Sequence, residues 1–320
     1  MAASAFDNIL CASRRLAGFA GRRAVVLFAA INAFCLGSAV MAAAALTVAA
    51  YNVENYTLAD RMVDGVYRAA YPKPEKEKAA LRQVITGIAP DILALQEMGP
   101  PAYLADFQRE LKLAGQDFPH AVVLEAADAD RHVAVLSKVP FKEIRRHARV
   151  PITYFKRPEV VKRGVLEVIF ASPDGDFSIF ILHLKSKHTD RKDDPEAALQ
   201  RALEAEAVRD LVLARYPDPA KAKFMVCGDW NDTRSSRPVQ AMQKRGRTII
   251  GEILPATDSR GEGWTHYFRR DVTYSQIDYL LVSPGLKPHV VGGRAKIWDG
   301  AGTTEASDHR AIYVQLNVNP

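Results

Sequence analysis

Six short apolar segments of this chain each begin or end at a residue with chemical capacity. Leu46–Tyr51 runs into Asn52 and Glu54, Asp91–Gln96 into Glu97, Phe177–Leu182 into His183, and Phe224–Gly228 into Asp229 and Asn231. Asp278 opens the segment through Ser283, and Asp308-His309 precedes Ala311–Leu316. A carboxylate beside an apolar strand is costly to desolvate unless a partner or cation neutralises it. Taken singly, Asp308-His309 and Asp229-Trp230-Asn231-Asp232 read as turn residues, and His183 as a satisfied core histidine. Their recurrence predicts one shared polar centre where the strand ends meet. Carboxylate and amide oxygens in that number suit a hard divalent cation that keeps several waters and is completed by substrate phosphate: magnesium, with manganese as substitute. The Cys and His spacings of a structural zinc site are missing. His309 offers a base, and Asp278 could hold its other ring nitrogen.

The same residues carry a resemblance. Tyr51-Asn52-Val53-Glu54-Asn55, Leu95-Gln96-Glu97, Ile181-Leu182-His183-Leu184-Lys185-Ser186-Lys187, Gly228-Asp229-Trp230-Asn231-Asp232, Gln276-Ile277-Asp278-Tyr279 and Ser307-Asp308-His309 stand in that order. Over about residues 46–318 the chain resembles the endonuclease/exonuclease/phosphatase superfamily, and within it the exported, nuclease-like bacterial members. The resemblance implies an α+β fold: two packed mixed β-sheets with helices on the outer faces, a DNase-I-like αββα sandwich. It implies that Glu97 is the main magnesium ligand, with Asn52 at the metal and phosphate end and Asp308 completing the metal or phosphate cluster. Asp229 and Asn231 would position the attacking water. His309 would be general base or electrostatic partner, with Asp278 orienting it, and His183 would hydrogen-bond the phosphate. That histidine resembles the deoxyribonuclease and sphingomyelinase branches.

The implied reaction is magnesium-dependent hydrolysis of a phosphodiester, in nucleic acid first. A phospholipid headgroup, an inositol phosphate or a small phosphodiester is the alternative substrate. A non-catalytic binding protein is the third reading, and the intact Glu97, Asp229, Asn231, Asp308 and His309 argue against it. A lipid enzyme would need an exposed apolar loop, and none stands out after the leader. Lys185, Lys187, His188, Arg191 and Lys192 form a basic run that reads as phosphate-backbone attraction or as a solvated loop. Arg163 is a further candidate for phosphate. Trp264, Tyr267 and Tyr274 read as packing residues rather than stacking platforms, Trp230 as packing beneath the acidic motif, and Glu125 as a candidate partner for His183. No protein partner is implied.

The elements that must position these groups follow from periodicity. Strands are expected at 46–53, 91–96, 133–137, 165–171, 177–184, 224–227, 277–283 and 311–316, several joined as hairpins rather than in βαβ alternation. Glu75–Ile88 and Pro195–Tyr216 carry apolar residues at helical spacing, and residues 56–74 read as a loop.

The chain has 320 residues, 48% hydrophobic and 25% charged, which is ordinary globular composition. Ahead of the strands, Arg14, Arg15, Arg22 and Arg23 precede an uncharged stretch from Ala24 to Ala45, with small residues at Ala42–Ala44. Residues 1–45 therefore read as a signal peptide, or as a membrane anchor if uncleaved. The expected location is periplasmic or secreted, with anchoring to the inner membrane as the variant. Residues 46–320 read as one catalytic domain. The leader holds half of the net charge of +6, so the remaining excess permits a polyanionic substrate without demanding one. Of three cysteines only Cys227 lies beyond the leader, in a segment that reads as a buried strand.

Overall fold

The computed structural model describes residues 45–318. The leader reading, with Cys11 and Cys35, lies outside the described residues apart from Ala45. The described residues form two main mixed sheets, with four two-stranded ribbons besides. The first runs, edge to edge, Ala256–Thr257, Ala295–Ile297, Ile312–Leu316, Leu46–Tyr56, Ile92–Met98, His132–Ser137 and His120–Leu124. The second runs Glu252–Ile253, Asp278–Val282, Phe224–Asp229, Phe177–His183, Val165–Phe170 and Glu143–His147. Leu46–Tyr56 lies parallel to Ile92–Met98 and antiparallel to Ile312–Leu316. In the second sheet Phe177–His183 lies parallel to Phe224–Asp229, which pairs antiparallel with Asp278–Val282.

Side-chain alternation explains why these strands read as unbroken apolar runs. Val48, Ala50, Ile92, Ala94, Val133 and Val135 of the first sheet meet Leu166, Val168, Ile179, Ile181, Met225 and Leu280 of the second in one buried core. The intervening residues of the first sheet, among them Ala49, Tyr51, Leu93 and Leu95, face two helices. Helix α1 (Glu75–Ile88) covers them with Leu81, Val84 and Ile85, and α2 (Pro101–Leu113) with Leu104, Phe107 and Leu111. On the far side Phe180, Leu182, Phe224, Val226 and Leu281 lie under α3 (Ala198–Arg215) and α4 (Arg237–Gln243). A strand buried on both faces has no polar alternation to show. The layers are those of the expected αββα sandwich. Cys227 is buried in the core, where burial pushes its thiol pKa up. Among the described residues no helix is long and apolar enough to cross a membrane.

Two expectations fail. Residues 56–74 are not a plain loop: Ala59–Val63 and Val66–Tyr71 form an antiparallel hairpin. Asp64 and Gly65 turn it with φ of 51° and 77°, the positive values that an Asp-Gly type I′ turn supplies at low cost. The hairpin exposes Leu58, Met62, Val66 and Tyr67, so the chain does carry an apolar protrusion outside its leader. A second hairpin, His266–Phe268 with Thr273–Ser275, exposes Phe268, Val272 and Tyr274. Pro101–Leu113, unassigned from the sequence, forms α2 with Pro101 in its first turn, where a missing N–H costs nothing.

Gly228 lets the second sheet deliver its polar end. Its φ is 132°, and a Cβ there would stand 2.0 Å from the Leu182 carbonyl oxygen. The close approach lets the ladder run on to pair His183 with Asp229. Gly228→Ala should therefore destabilise the protein by about 3 kcal/mol or more, from overpacking and backbone strain together. Urea unfolding followed by circular dichroism would measure the loss.

Candidate active site

The strand ends of both sheets converge on Asp229. Its side chain is buried, and its Oδ2 accepts hydrogen bonds from Asn52 Nδ2 at 3.0 Å and Asn231 Nδ2 at 3.2 Å. The same oxygen lies 3.4 Å from His183 Nε2 and 3.7 Å from His309 Nε2. Asn52 Nδ2 also reaches Glu97 Oε1 at 3.2 Å, and Glu97 Oε2 accepts the Asn55 N–H at 2.9 Å. Asp278 Oδ2 sits 2.9 Å from His309 Nδ1, so Nδ1 carries the proton toward the carboxylate and Nε2 faces the centre. Asp308 Oδ1 is 4.0 Å from His309 Nε2. Ser307 fixes this end, donating its hydroxyl to the Asn52 carbonyl and accepting the His309 N–H. Asn52, Glu97, His183, Asp229, Asn231, Asp278, Asp308 and His309 thus form one connected cluster.

The backbone under this cluster is strained. Glu54, Asn55, Glu97 and Asn231 all have φ between 48° and 60°. Non-glycine residues in that region cost on the order of 1 kcal/mol or more each, and they persist where the surroundings over-determine them. Here the polar contacts of Asn52, Asn55, Glu97 and Asp229 supply that determination.

The two histidines are pushed in opposite directions. Burial, with Arg163 and His309 nearby, holds the His183 pKa well below its ordinary value, so this ring is neutral. Burial also acts against charge on His309, but Asp278 and Asp229 outweigh it and hold its pKa well above the ordinary value. Burial, together with Asp278 and Glu97, pushes Asp229 up to about 7 against the pull of His309. Burial and the neighbouring Asp308 push Glu54 up to about 7. Burial would raise Asp308 as well, but the His266 ring and His309 bring it down to about 2.

Carboxyl groups crowded until two of them resist ionisation fit a divalent cation. The donors are carboxylate and amide oxygens with imidazole nitrogen, the set that hard cations accept, and no thiolate is among them. Glu97, Asn52 and Asp308 could hold such an ion, with Glu54 beside them through its hydrogen bond from the Asp308 N–H. Ligand atoms of Asp229, Asp278 and His309, and of His266, Asp308 and His309, also lie within 4.8 Å of one another in each trio.

Three residues of this centre escaped the sequence reading. His266 lies tilted against the His309 ring, 4.7 Å between centroids, and 3.7 Å from Asp308. Its signal was a strand-forming triplet, His266-Tyr267-Phe268, shortly before Asp278. Arg131 Nε donates to Asn55 Oδ1 at 2.8 Å, and Lys73 Nζ reaches the Glu54 carbonyl at 3.1 Å. Neither stands in a motif.

The candidate substrate-binding cations are placed differently from one another. Arg163 is buried, its guanidinium engaged by Asp128 Oδ2 at 2.8 Å and the Leu184 carbonyl at 3.1 Å. Lys185 Nζ is turned onto the carbonyls of Ser186 and His188, whereas Lys187 is exposed, 3.6 Å from Glu196. His183 Nδ1 has no hydrogen-bond partner among the described residues, and Asp229, with Glu97 farther off at 4.0 Å, rather than Glu125, faces its Nε2. Trp230 is buried against Tyr279, 5.1 Å between rings.

This chain belongs to the endonuclease/exonuclease/phosphatase family, whose model matches residues 49–309. Its fold is the DNase-I-like hydrolase fold. Sphingomyelinase C from Streptomyces griseocarneus superposes with a TM-score of 0.57 at 18% identity, covering 85% of this chain and 99% of that one. The human Nocturnin catalytic domain with bound sulfate gives 0.58 at 17% identity, over 86% and 95%. A double mutant of beta toxin from Staphylococcus aureus with bound magnesium ions gives 0.59 at 14% identity, over 85% and 99%. No curated protein matches the chain.

The loop carrying His309 is locked from behind. Arg310 Nη2 meets Asp258 Oδ2 at 2.8 Å with both side chains buried, Nε donates to the Trp298 carbonyl, and the guanidinium lies 4.1 Å over the Trp264 ring. Removing one partner of a buried pair leaves the other charge uncompensated. Asp258→Ala should cost on the order of 3 kcal/mol at neutral pH. The Asp258 carboxyl is held below its ordinary range: burial works against this, and the Arg310 hydrogen bond overrides it. Its stabilisation is therefore present above pH ~4 and fades as pH falls through the lower folded value. Melting temperatures of wild type and variant should converge in acid; a gap that stayed constant with pH would deny the ion pair this role.

Proposed function

We propose that this chain is an exported, divalent-metal-dependent nuclease that hydrolyses phosphodiester bonds, magnesium being the metal and nucleic acid the substrate. The observation that carries the reading is the connected centre around Asp229, bordered by arginines and exposed aromatics. Arg61 and Arg131 hold the Asn55 end. Tyr67 and Tyr71 stand on the first hairpin, and Arg269 and Tyr274 on the second. Cations for phosphate and rings for bases are what a nucleic-acid strand needs on either side of a cut.

Glu97, Asn52 and Asp308 would hold the cation, which when bound supplies charge stabilisation to phosphate oxygens. Asp229 and Asn231 orient the attacking water from adjacent positions, since the Asn231 N–H and amide both close onto Asp229. His309 presents Nε2 to the attacked phosphate while Asp278 fixes the opposite nitrogen. The ring thereby acts at one defined atom: when neutral as base for the water proton, and in the charged form that Asp278 and Asp229 favour as positive partner to the phosphate. His183, neutral and buried, donates a hydrogen bond to phosphate without adding charge. Of the three cations expected to meet the substrate backbone, Lys187 alone is exposed; Arg163 is held by Asp128 and the Leu184 carbonyl, and Lys185 by the carbonyls of Ser186 and His188.

A second reading, a phosphoesterase on a phospholipid headgroup, is favoured by the exposed Leu58, Met62 and Val66 of the first hairpin, which could meet a bilayer surface.

His309→Ala should lower kcat by roughly 10²- to 10⁴-fold while the circular dichroism spectrum stays native. Chelation should abolish cleavage of plasmid DNA or RNA, and magnesium or manganese should restore it. Full activity in the variant would remove His309 from the mechanism. Hydrolysis of phospholipid vesicles with nucleic acid left intact would favour the second reading.

A further inference from the structure

Beside Asp308 lies a cavity of about 280 Å³ that shares Ser307 and Asp308, and no other member, with the Asp229 cluster. Trp264, Tyr267 and Tyr274 line it together with Arg269 and Arg310. Tyr267 and Tyr274 stack at 4.7 Å, 23° from coplanar, and Tyr274 meets the edge of Trp264 at 4.8 Å. The group is tied to the reaction centre through its backbone: the Tyr267 N–H donates to the Asp308 carbonyl at 2.9 Å, and the Arg310 N–H donates to the Thr265 carbonyl. Trp264 has its indole N–H on Glu262 and one face under Arg310, so it is a wall. Tyr274 is 57% exposed, an unusual position for a ring whose only task is packing.

The geometry points to this cavity as the subsite for one nucleobase of the nucleotide next to the scissile phosphate. This rests on the nuclease reading and narrows it. A planar heterocycle suits stacked phenols, because every base offers a π-face. The volume lies just below the usual range of small-molecule sites, which suits one base rather than several. The competing occupant of an aromatic cluster is a quaternary ammonium, which binds ring faces. Arg269 opposes such a cation from the lining, against the single carboxylate of Asp308 there. Arg310 is saturated by Asp258, the Trp298 carbonyl and the Trp264 ring, which leaves Arg269 as the lining cation for an adjoining phosphate.

Calorimetric titration of the purified chain, with magnesium present, separates the possibilities without relying on turnover. The ligands are adenosine 5′-monophosphate, ribose 5-phosphate and choline phosphate. The base-bearing ligand should bind roughly 10-fold or more tighter than ribose 5-phosphate. Tyr274→Ala should weaken it by roughly 5- to 150-fold, the range for one lost base stack, and leave ribose 5-phosphate unchanged. Tyr274→Phe, which keeps the ring, should retain the preference. Equal binding of the two sugar phosphates overturns the assignment, as does a Tyr274→Ala variant with unaltered affinity. Choline phosphate binding more tightly than the nucleotide, in a Tyr274-dependent way, overturns it in favour of a headgroup. A base preference that depends on Tyr274 in a protein that leaves nucleic acid intact would keep the subsite and reject the hydrolytic reading. Nucleic-acid turnover with no base preference would keep the hydrolysis and reject the subsite.

Discussion

One hydrogen bond, from Asn52 to Asp229, joins the two sheets at the place where their polar ends meet. Each partner is buried at the end of a strand that is itself apolar on both faces. A carboxylate in that position has little water to solvate it, so its charge depends on Asn52, Asn231 and the two imidazoles. Their positions depend in turn on the sheet register: His183 is level with Asp229 in one ladder, and Asp278 with Asp229 in the next. A shift of either strand by one residue would invert these side chains. The chemistry of the centre and the packing of the sandwich are thus one constraint seen from two ends.

What a sequence shows of such a protein follows from what is local. The runs 46–51, 92–96, 177–182 and 224–227 are doubly buried, and doubly buried strands announce themselves as apolar stretches flanked by polar ends. Asn52, Glu97, His183 and Asp229 stood out for the same reason, since each stands at or just past the end of one of those runs. The hairpin at 59–71 was hidden because its strands are short and solvated, although the Asp64-Gly65 turn was there to be seen. Helix α2 was legible in principle, with Pro101 at its start and Leu104, Phe107 and Leu111 on one side. Tertiary partnerships were not legible. Nothing local to Arg163 says that Asp128 will claim it, and nothing local to His266 says that it will lie against His309. The same limit applies to Asp258, whose importance to the loop carrying His309 arises only from meeting Arg310 across 52 positions of chain.

The environment sorts chemically similar groups into different states. His183 and His309 both sit against Asp229, yet one is neutral and the other favours its charged form. The difference lies in what stands behind each ring: Arg163 for the first, and the Asp278 carboxylate for the second. The carboxyls divide likewise, with Asp308 low and Glu54 and Asp229 high. A centre graded in this way can donate, accept and neutralise at separate atoms without large rearrangement, which is what preorganisation for charge transfer requires.

The first hairpin leaves the site at Asn55 and returns to it at Lys73. Arg61 grips the carbonyls of Asn55, Thr57 and Tyr71 at the hairpin's base, and Lys73 grips Glu54 on the return. With its base clamped at both ends, the outer part of the hairpin is mechanically insulated from the Glu54 and Asn55 end of the polar cluster. Its tip could be lengthened, shortened or recomposed over evolutionary time while the reacting groups kept their places. A lineage built on this arrangement would diversify by exchanging what its enzymes touch, and would leave what they do to the phosphorus unchanged.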